Sequence, residues 1–140
     1  MATTNATITI NSDIGMGASV SKTMAMHKFQ SATGIEETDG LSSKVFNDTA
    51  AVEIIGNADG TAGKASKVYI RNTGSDKAQN FYVSLNASAS AAATTESIGK
   101  LYGGDWMLMP RVATAATTHD ITVVPSTAET MTIEWMVFAE

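Results

Sequence analysis

Apolar and polar positions alternate with a period of two along much of this chain, and turn-forming residues interrupt the alternation at short intervals. That is the pattern of half-buried β-strands, not of helices. It is clearest in the block KVYIRNTGSDKAQNFYVSLN, a connection of Ala, Ser and Thr, and then IGKLYGGDWMLMP. Val68 and Ile70 fall on one side of the first run, with Tyr69 and Arg71 on the other. Phe81, Val83 and Leu85 likewise oppose Tyr82 and Ser84. An Asn-Thr-Gly turn divides the first two runs and Gly103-Gly104 the last two, so the block reads as strand, turn, strand, loop, strand, turn, strand. It predicts an antiparallel scaffold.

The flanking segments extend the same picture. Residues 3–11 set Thr7, Thr9 and Asn11 against Ala6, Ile8 and Ile10, which predicts a strand with one polar face, placed to act as an N-terminal arm. A Gly-containing loop is expected over 13–19. Residues 20–29 alternate again, and the lack of helix caps favours a strand there, although Val20, Met24 and His27 also fall at helical spacing. The polar, turn-rich stretch 31–47 is expected to be mostly loop. Strands are expected over 51–55 and 66–71, separated by the flexible loop GNADGTAGK. The link over 86–97 is nearly all Ala, Ser and Thr, with a short helical turn as the alternative within it.

Residues 106–109 and 135–138 are apolar on both faces, as expected of a strand that is either covered twice or turned toward another protein. A strand from His119 to Val124 is expected to stop at Pro125, and a last one to begin at Thr130. The total is eight or nine strands. The fold class predicted is all-β, a single-domain antiparallel β-sandwich of jelly-roll-like type, with residues 1–14 as arm and first strand and 15–140 as the sandwich.

Composition narrows the function. A length of 140 residues suits one domain with a real core. Charged residues make up 16%, against about 25% in ordinary soluble domains; a surface so poor in charge suits a protein that meets neighbours. The net charge of −5, with nine Lys and Arg that do not cluster, lacks the electrostatic footprint of a nucleic-acid binder. There is no cysteine for a disulfide or a thiolate metal site. The first residues lack the basic and apolar regions of a secretory signal, and the apolar run over 135–139 is far short of the roughly 20 residues that span a bilayer. Synthesis in a cytoplasm, with no membrane partner, is the expectation.

Each candidate for chemistry has a plainer reading. The loop over 56–64 suggests a phosphate-binding loop, but Ala58 stands at the first glycine and Ala65 at the hydroxyl position after Lys64. Its Asn57, Asp59 and Gly60 match only part of a calcium loop, with no closing glutamate. His27 and His119 are too few for a zinc site, and no nucleophile elbow accompanies His119-Asp120. Glu36, Glu37 and Asp39 read as a solvated acidic run rather than a glycosidase pair. Acceptor patterns for glycosylation at Asn5, Asn47 and Asn86 occur by chance in a chain so rich in Ser and Thr. Eight methionines fill cores or irregular contact surfaces, with Met107 and Met109 the candidates for an interface. Neither enzymatic activity nor a cofactor is expected.

The runs VYIRNTGS, FYVSLN and IGKLYGGDWMLMP, followed by DITVVP and the closing MTIEWMVFAE, resemble a family of short structural proteins of tailed bacteriophages from marine and cyanobacterial hosts. The shared pattern is a hairpin, a Gly-containing turn and an apolar strand, over roughly the second half of the chain. Such proteins are similar to capsid decoration (cement) proteins and to small tail or fibre components. The resemblance implies a β-sandwich, a place on the virion surface, the major capsid protein as partner, and no catalytic residues. The interface expected on that basis comprises Thr7, Ile8 and Ile10 of the arm with Trp106, Met107, Met109, Met136 and Phe138. Self-association as a homo-oligomer, with a trimer as the symmetric candidate, accompanies it. A tail, fibre or knob component is the alternative, and a carbohydrate-binding module using Trp106 or Trp135 as a stacking platform is an alternative of another class.

Overall fold

The computed structural model describes residues 7–14, 18–25, 37–38, 40–56, 59, 65–85, 95–112 and 120–139. The chain forms β1 (Thr7–Ile14), β2 (Ala18–Ala25), β3 (Glu37–Thr38), β4 (Ser42–Phe46), β5 (Val52–Ile55) and β6 (Ala65–Asn72). Then come β7 (Asn80–Leu85), β8 (Ser97–Tyr102), β9 (Trp106–Val112), β10 (Ile121–Pro125) and β11 (Met131–Ala139). Every strand pairing is antiparallel. Eight strands make two sheets, as the alternation predicts. One sheet runs β4-β11-β6-β9, with β3 sharing the β11 edge beyond β4; the other runs β5-β10-β7-β8.

The inward faces form one core. Val68, Ile70, Ile133 and Val137 of the β11 sheet meet Phe81, Val83, Ile121 and Val123 of the β10 sheet. All of these but Val137 are completely buried aromatic or branched side chains of facing strands, and each contributes roughly 1.5–3 kcal/mol by leaving water. Phe46 closes the β4 edge, its ring 5.3 Å from that of Phe81 in an edge-to-face contact. In β5 both Ile54 and Ile55 are buried, against strict alternation, because the pairing with β10 skips a residue between Ile121 and Thr122. Such a bulge turns two successive side chains toward the same side.

Three expectations change. The stretch 31–47, expected to be mostly loop, contains β3 and β4. An edge strand pairs on one side only and needs a single inward anchor, here Phe46, so the polar Ser-Ser-Lys ahead of it gave no apolar alternation to read. Pro125, expected beyond the strand, is instead the buried last residue of β10, in register with Phe81; at a strand end its missing N–H costs no ladder bond. Ser84, assigned to the outer side with Tyr82, is also fully buried, its hydroxyl donating to the Thr122 carbonyl at 3.4 Å.

The turns that divide the central block do not close hairpins. Asn72-Thr73-Gly74 carries the chain from the β11 sheet to the β10 sheet, and Gly103-Gly104 carries it back. Asn72, 1% exposed, ties the two crossings together. Its side-chain amide donates to the carbonyls of Gln79 (3.2 Å) and Leu101 (3.1 Å), and its side-chain oxygen accepts from the Gly74 N–H (3.0 Å). Its backbone N–H donates to Asp105 and its carbonyl accepts from Gly104. Apart from these sheets, β1 and β2 pair with each other along their whole length and, among the described residues, with no other strand. His27, Asn57, Gly60 and His119 lie outside the described residues, as do Glu36, Asp39, Asn5, Asn86 and the link over 86–94.

Candidate functional site on the outer face of the β11 sheet

Because side chains alternate across a strand, the register of β11, β6 and β9 fixes what the outer face of their sheet presents. Three rows cross it: Glu134, Arg71 and Trp106; then Met136, Tyr69 and Leu108; then Phe138, Lys67 and Pro110. The intervening positions Val68, Ile70, Met107 and Met109 belong to the core side. Trp106 is 47% exposed and Val112, at the other end of β9, 55%. Tyr69, Leu108 and Met136 are half-buried, and Phe138 is buried.

The polar groups on this face satisfy one another. Glu134 Oε1 accepts from the Tyr69 hydroxyl at 3.2 Å and lies 3.6 Å from Arg71 Nη1. Desolvation, then the hydrogen bond to Glu134 and its charge, push the Tyr69 phenol above its ordinary pKa, so it stays a neutral donor. What remains is an indole, a Leu, a Met and a Tyr ring beside one Arg. Trp, Tyr, Met and Arg are among the residue types enriched in protein interfaces, where Lys, Glu and Asp are depleted.

A second cluster lies where β5 ends and β6 and β10 begin. Arg111, at the end of β9 and 6% exposed, donates from Nη1 to the Asp59 carbonyl and from Nη2 to the Gly56 carbonyl. Burial lowers its pKa, while Asp59, Asp120 and Glu53 act in the opposite direction. Glu53 is raised above its ordinary value by desolvation first and then by the charge and hydrogen bond of Asp120. The guanidinium therefore already occupies the place where a cation would meet these oxygens. Among the described residues no three His, Asp or Glu side chains group as metal ligands. A cavity of about 170 Å³ lies nearby, lined by Gly40, Ser42, Ile54, Asp59, Trp135 and Val137, below the roughly 300 Å³ of ordinary small-molecule sites.

The residues expected at an interface are thus distributed over three places. Thr7, Ile8 and Ile10 lie in β1, Trp106, Met136 and Phe138 hold outer positions, and Met107 and Met109 pack against the core. Trp135 also packs against the core, so only Trp106 of the two tryptophans presents an exposed ring. Tyr69, Arg71, Leu108 and Glu134 were not singled out by sequence. Their outward alternation was visible, but not that strands so distant in the chain are neighbours. The chain matches no protein-family model and no curated protein.

Proposed function

We propose that this is a virion structural protein of the capsid-decoration type, which binds the outside of a phage head through the major capsid protein and stabilises it. The observation that carries the reading is the strand order. Sheets ordered β4-β11-β6-β9 and β5-β10-β7-β8, with the chain changing sheet at every step from β4 to β11 except β7 to β8, support a reading as the interleaved Greek keys of a jelly roll. That architecture recurs in capsid and lectin domains. Fold alone never assigns a function; the outer face, with interface-type residues and internally satisfied polar groups, adds to the case. A protein that binds only the assembled shell stabilises it by mass action, and no bond-making chemistry is involved.

Stoichiometry tests this reading. Quantified by mass spectrometry in purified particles, the chain is expected near a one-to-one or one-to-three ratio with the major capsid protein. A few copies per particle would assign it to the tail or fibre instead, and absence from particles would overturn both.

One observation favours a second reading. Trp106 offers an exposed ring beside Arg71, as a sugar-stacking platform requires. Glycan binding abolished by Trp106→Ala, in a protein absent from particles, would establish a carbohydrate-binding module.

A further inference from the structure

Edge strand β5 is held by the shortest pairing of its sheet. It has four residues, and its register with β10 consists of Ile121 to Ile55, Thr122 to Glu53 and Val123 to Val52, with a shift after the first pair. A bulge in so short a ladder disrupts the backbone pairing and leaves the strand end weakly tied.

Side chains meet across that weak point. Asp120, directly ahead of β10, is 6% exposed, and its Oδ1 has no hydrogen-bond partner. Glu53 reaches it from β5, with the two carboxyl groups within hydrogen-bonding range of each other. The Glu53 side chain folds back over Gly56: its Oε1 lies 2.5 Å from the point a Cβ would occupy there, and Asp59 Oδ2 lies 4.0 Å from the same point. The missing side chain of Gly56 leaves the room this arrangement needs.

Among the described residues, the other charged groups acting on the pair are Asp59 and Arg111. Arg111 directs Nη1 and Nη2 to the Asp59 and Gly56 carbonyls, so one guanidinium faces three carboxyl groups. Two carboxyl groups at hydrogen-bonding range do not both ionise without cost, and a proton between them turns repulsion into a hydrogen bond. The buried, unpartnered Asp120 Oδ1 is the acceptor that such a proton requires.

We propose that Glu53 and Asp120 share one proton that bridges β5 to the start of β10, making this edge of the sandwich a pH-sensitive catch, closed when the proton is bound and open when it has left. In the closed form the Glu53 O–H donates to Asp120 Oδ1. As pH rises the proton passes to solvent, the two carboxylates repel, and Glu53, which is exposed, turns outward and releases the end of β5 with the Gly56–Asp59 turn. Desolvation first and then the Asp120 charge raise the Glu53 pKa. The catch is therefore complete below the unfolded pKa of Glu53 and is lost as pH rises through the folded one. It stands on the fold and not on the virion reading, and its test uses purified protein without particles.

Carbon-13 NMR of the carboxyl carbons reads each group directly and separates both from the imidazole of His119, the neighbour of Asp120 in sequence. In the parent protein the Asp120 carboxyl carbon should respond over the same pH interval as that of Glu53, because coupled groups titrate as a pair. Asp120→Asn should lower the Glu53 midpoint. Gly56→Ala, which keeps every charge but fills the room of the Glu53 carboxyl, should lower it too, and serves should Asp120→Asn prevent folding as judged by circular dichroism. Amide exchange, corrected for the intrinsic effect of pH, should show protection of the β5 amides falling as pH rises through the Glu53 midpoint, relative to those of β7. In Glu53→Gln, whose side-chain amide donates to Asp120 at every pH, that protection should stay constant. A Glu53 midpoint unmoved in the folded variants overturns the proposal. So does β5 protection that follows pH equally in the parent and in Glu53→Gln.

Discussion

Replacing Arg111 by Met tests whether the guanidinium is the structural cation of this sandwich end. Met keeps much of the apolar stem, so the loss is chiefly of charge and hydrogen bonds. The Gly56 and Asp59 carbonyls each lose a donor, Gly56 keeping the Asp59 N–H, and the buried Asp120, half-buried Asp59 and exposed Glu53 carboxylates lose a nearby counter-charge. Asp120 is 6% exposed and its Oδ1 has no hydrogen-bond partner, so its charge is poorly placed to find water. Removing one partner from a buried charge cluster costs about 3–5 kcal/mol, a large share of the roughly 5–15 kcal/mol that holds a domain folded. With a urea dependence of about 2 kcal/mol per molar, the middle of the usual range, the unfolding midpoint should fall by about 1.5–2.5 M. Adding Asp120→Asn should restore part of the loss, because the buried carboxylate then carries no charge. A loss under about 1 kcal/mol would refute the reasoning, as would strict additivity of the two substitutions, since residues in one charge network couple.

Phe81→Ala, at a fully buried position against Phe46, should cost about 3–5 kcal/mol in the same urea assay. Asn72→Asp should destabilise more than Asn72→Ala, which itself costs about 2–3 kcal/mol in lost hydrogen bonds, because a carboxylate would face the Gln79 and Leu101 carbonyls; thermal unfolding ranks the two. Gly103→Ala should lower stability by more than Gly104→Ala. At 103 a Cβ would lie 2.8 Å from the Asp76 carbonyl carbon and nearer still to its oxygen, whereas at 104 the cost is the positive φ of 88° alone, about 1 kcal/mol.

Glu53→Gln should raise stability slightly at neutral pH, by a few tenths of a kcal/mol, since this exposed carboxylate is screened by solvent. Its pKa in the folded protein lies above the ordinary 4.5, so folding is favoured by protonation. That contribution is complete below the unfolded value and lost as pH rises through the folded one. The variant's stability should therefore vary less with pH than the parent's across that window, as read from urea midpoints between about pH 4 and 7.

Much of the fold was legible because two-residue alternation is a local signal. Val68 and Ile70 turned inward and Tyr69 and Arg71 outward as their spacing predicts, and Phe81 and Val83 did the same. Where the signal failed, the cause is identifiable. Edge strand β4 buries only Phe46, and the bulge at β5 breaks the period.

What alternation cannot convey is which strand lies beside which. The runs on either side of Asn72-Thr73-Gly74 look like the arms of a hairpin, yet β6 finds its partners in β9 and in β11, where Ile133 to Ala139 pair with Asn72 to Ser66. That choice rests on burying both inward faces in one core, a sum over residues more than sixty positions apart, which no local pattern contains. The candidate site follows the same division. Trp106 was visible as an unusual residue, but its neighbourhood of Arg71, Tyr69 and Glu134 exists only through the register of three strands. The sequence by itself determined most of the strands, most of their inward residues and the low charge of the chain; sheet membership, the buried place of Arg111 and the neighbours across the outer face of the β11 sheet were decided by long-range packing.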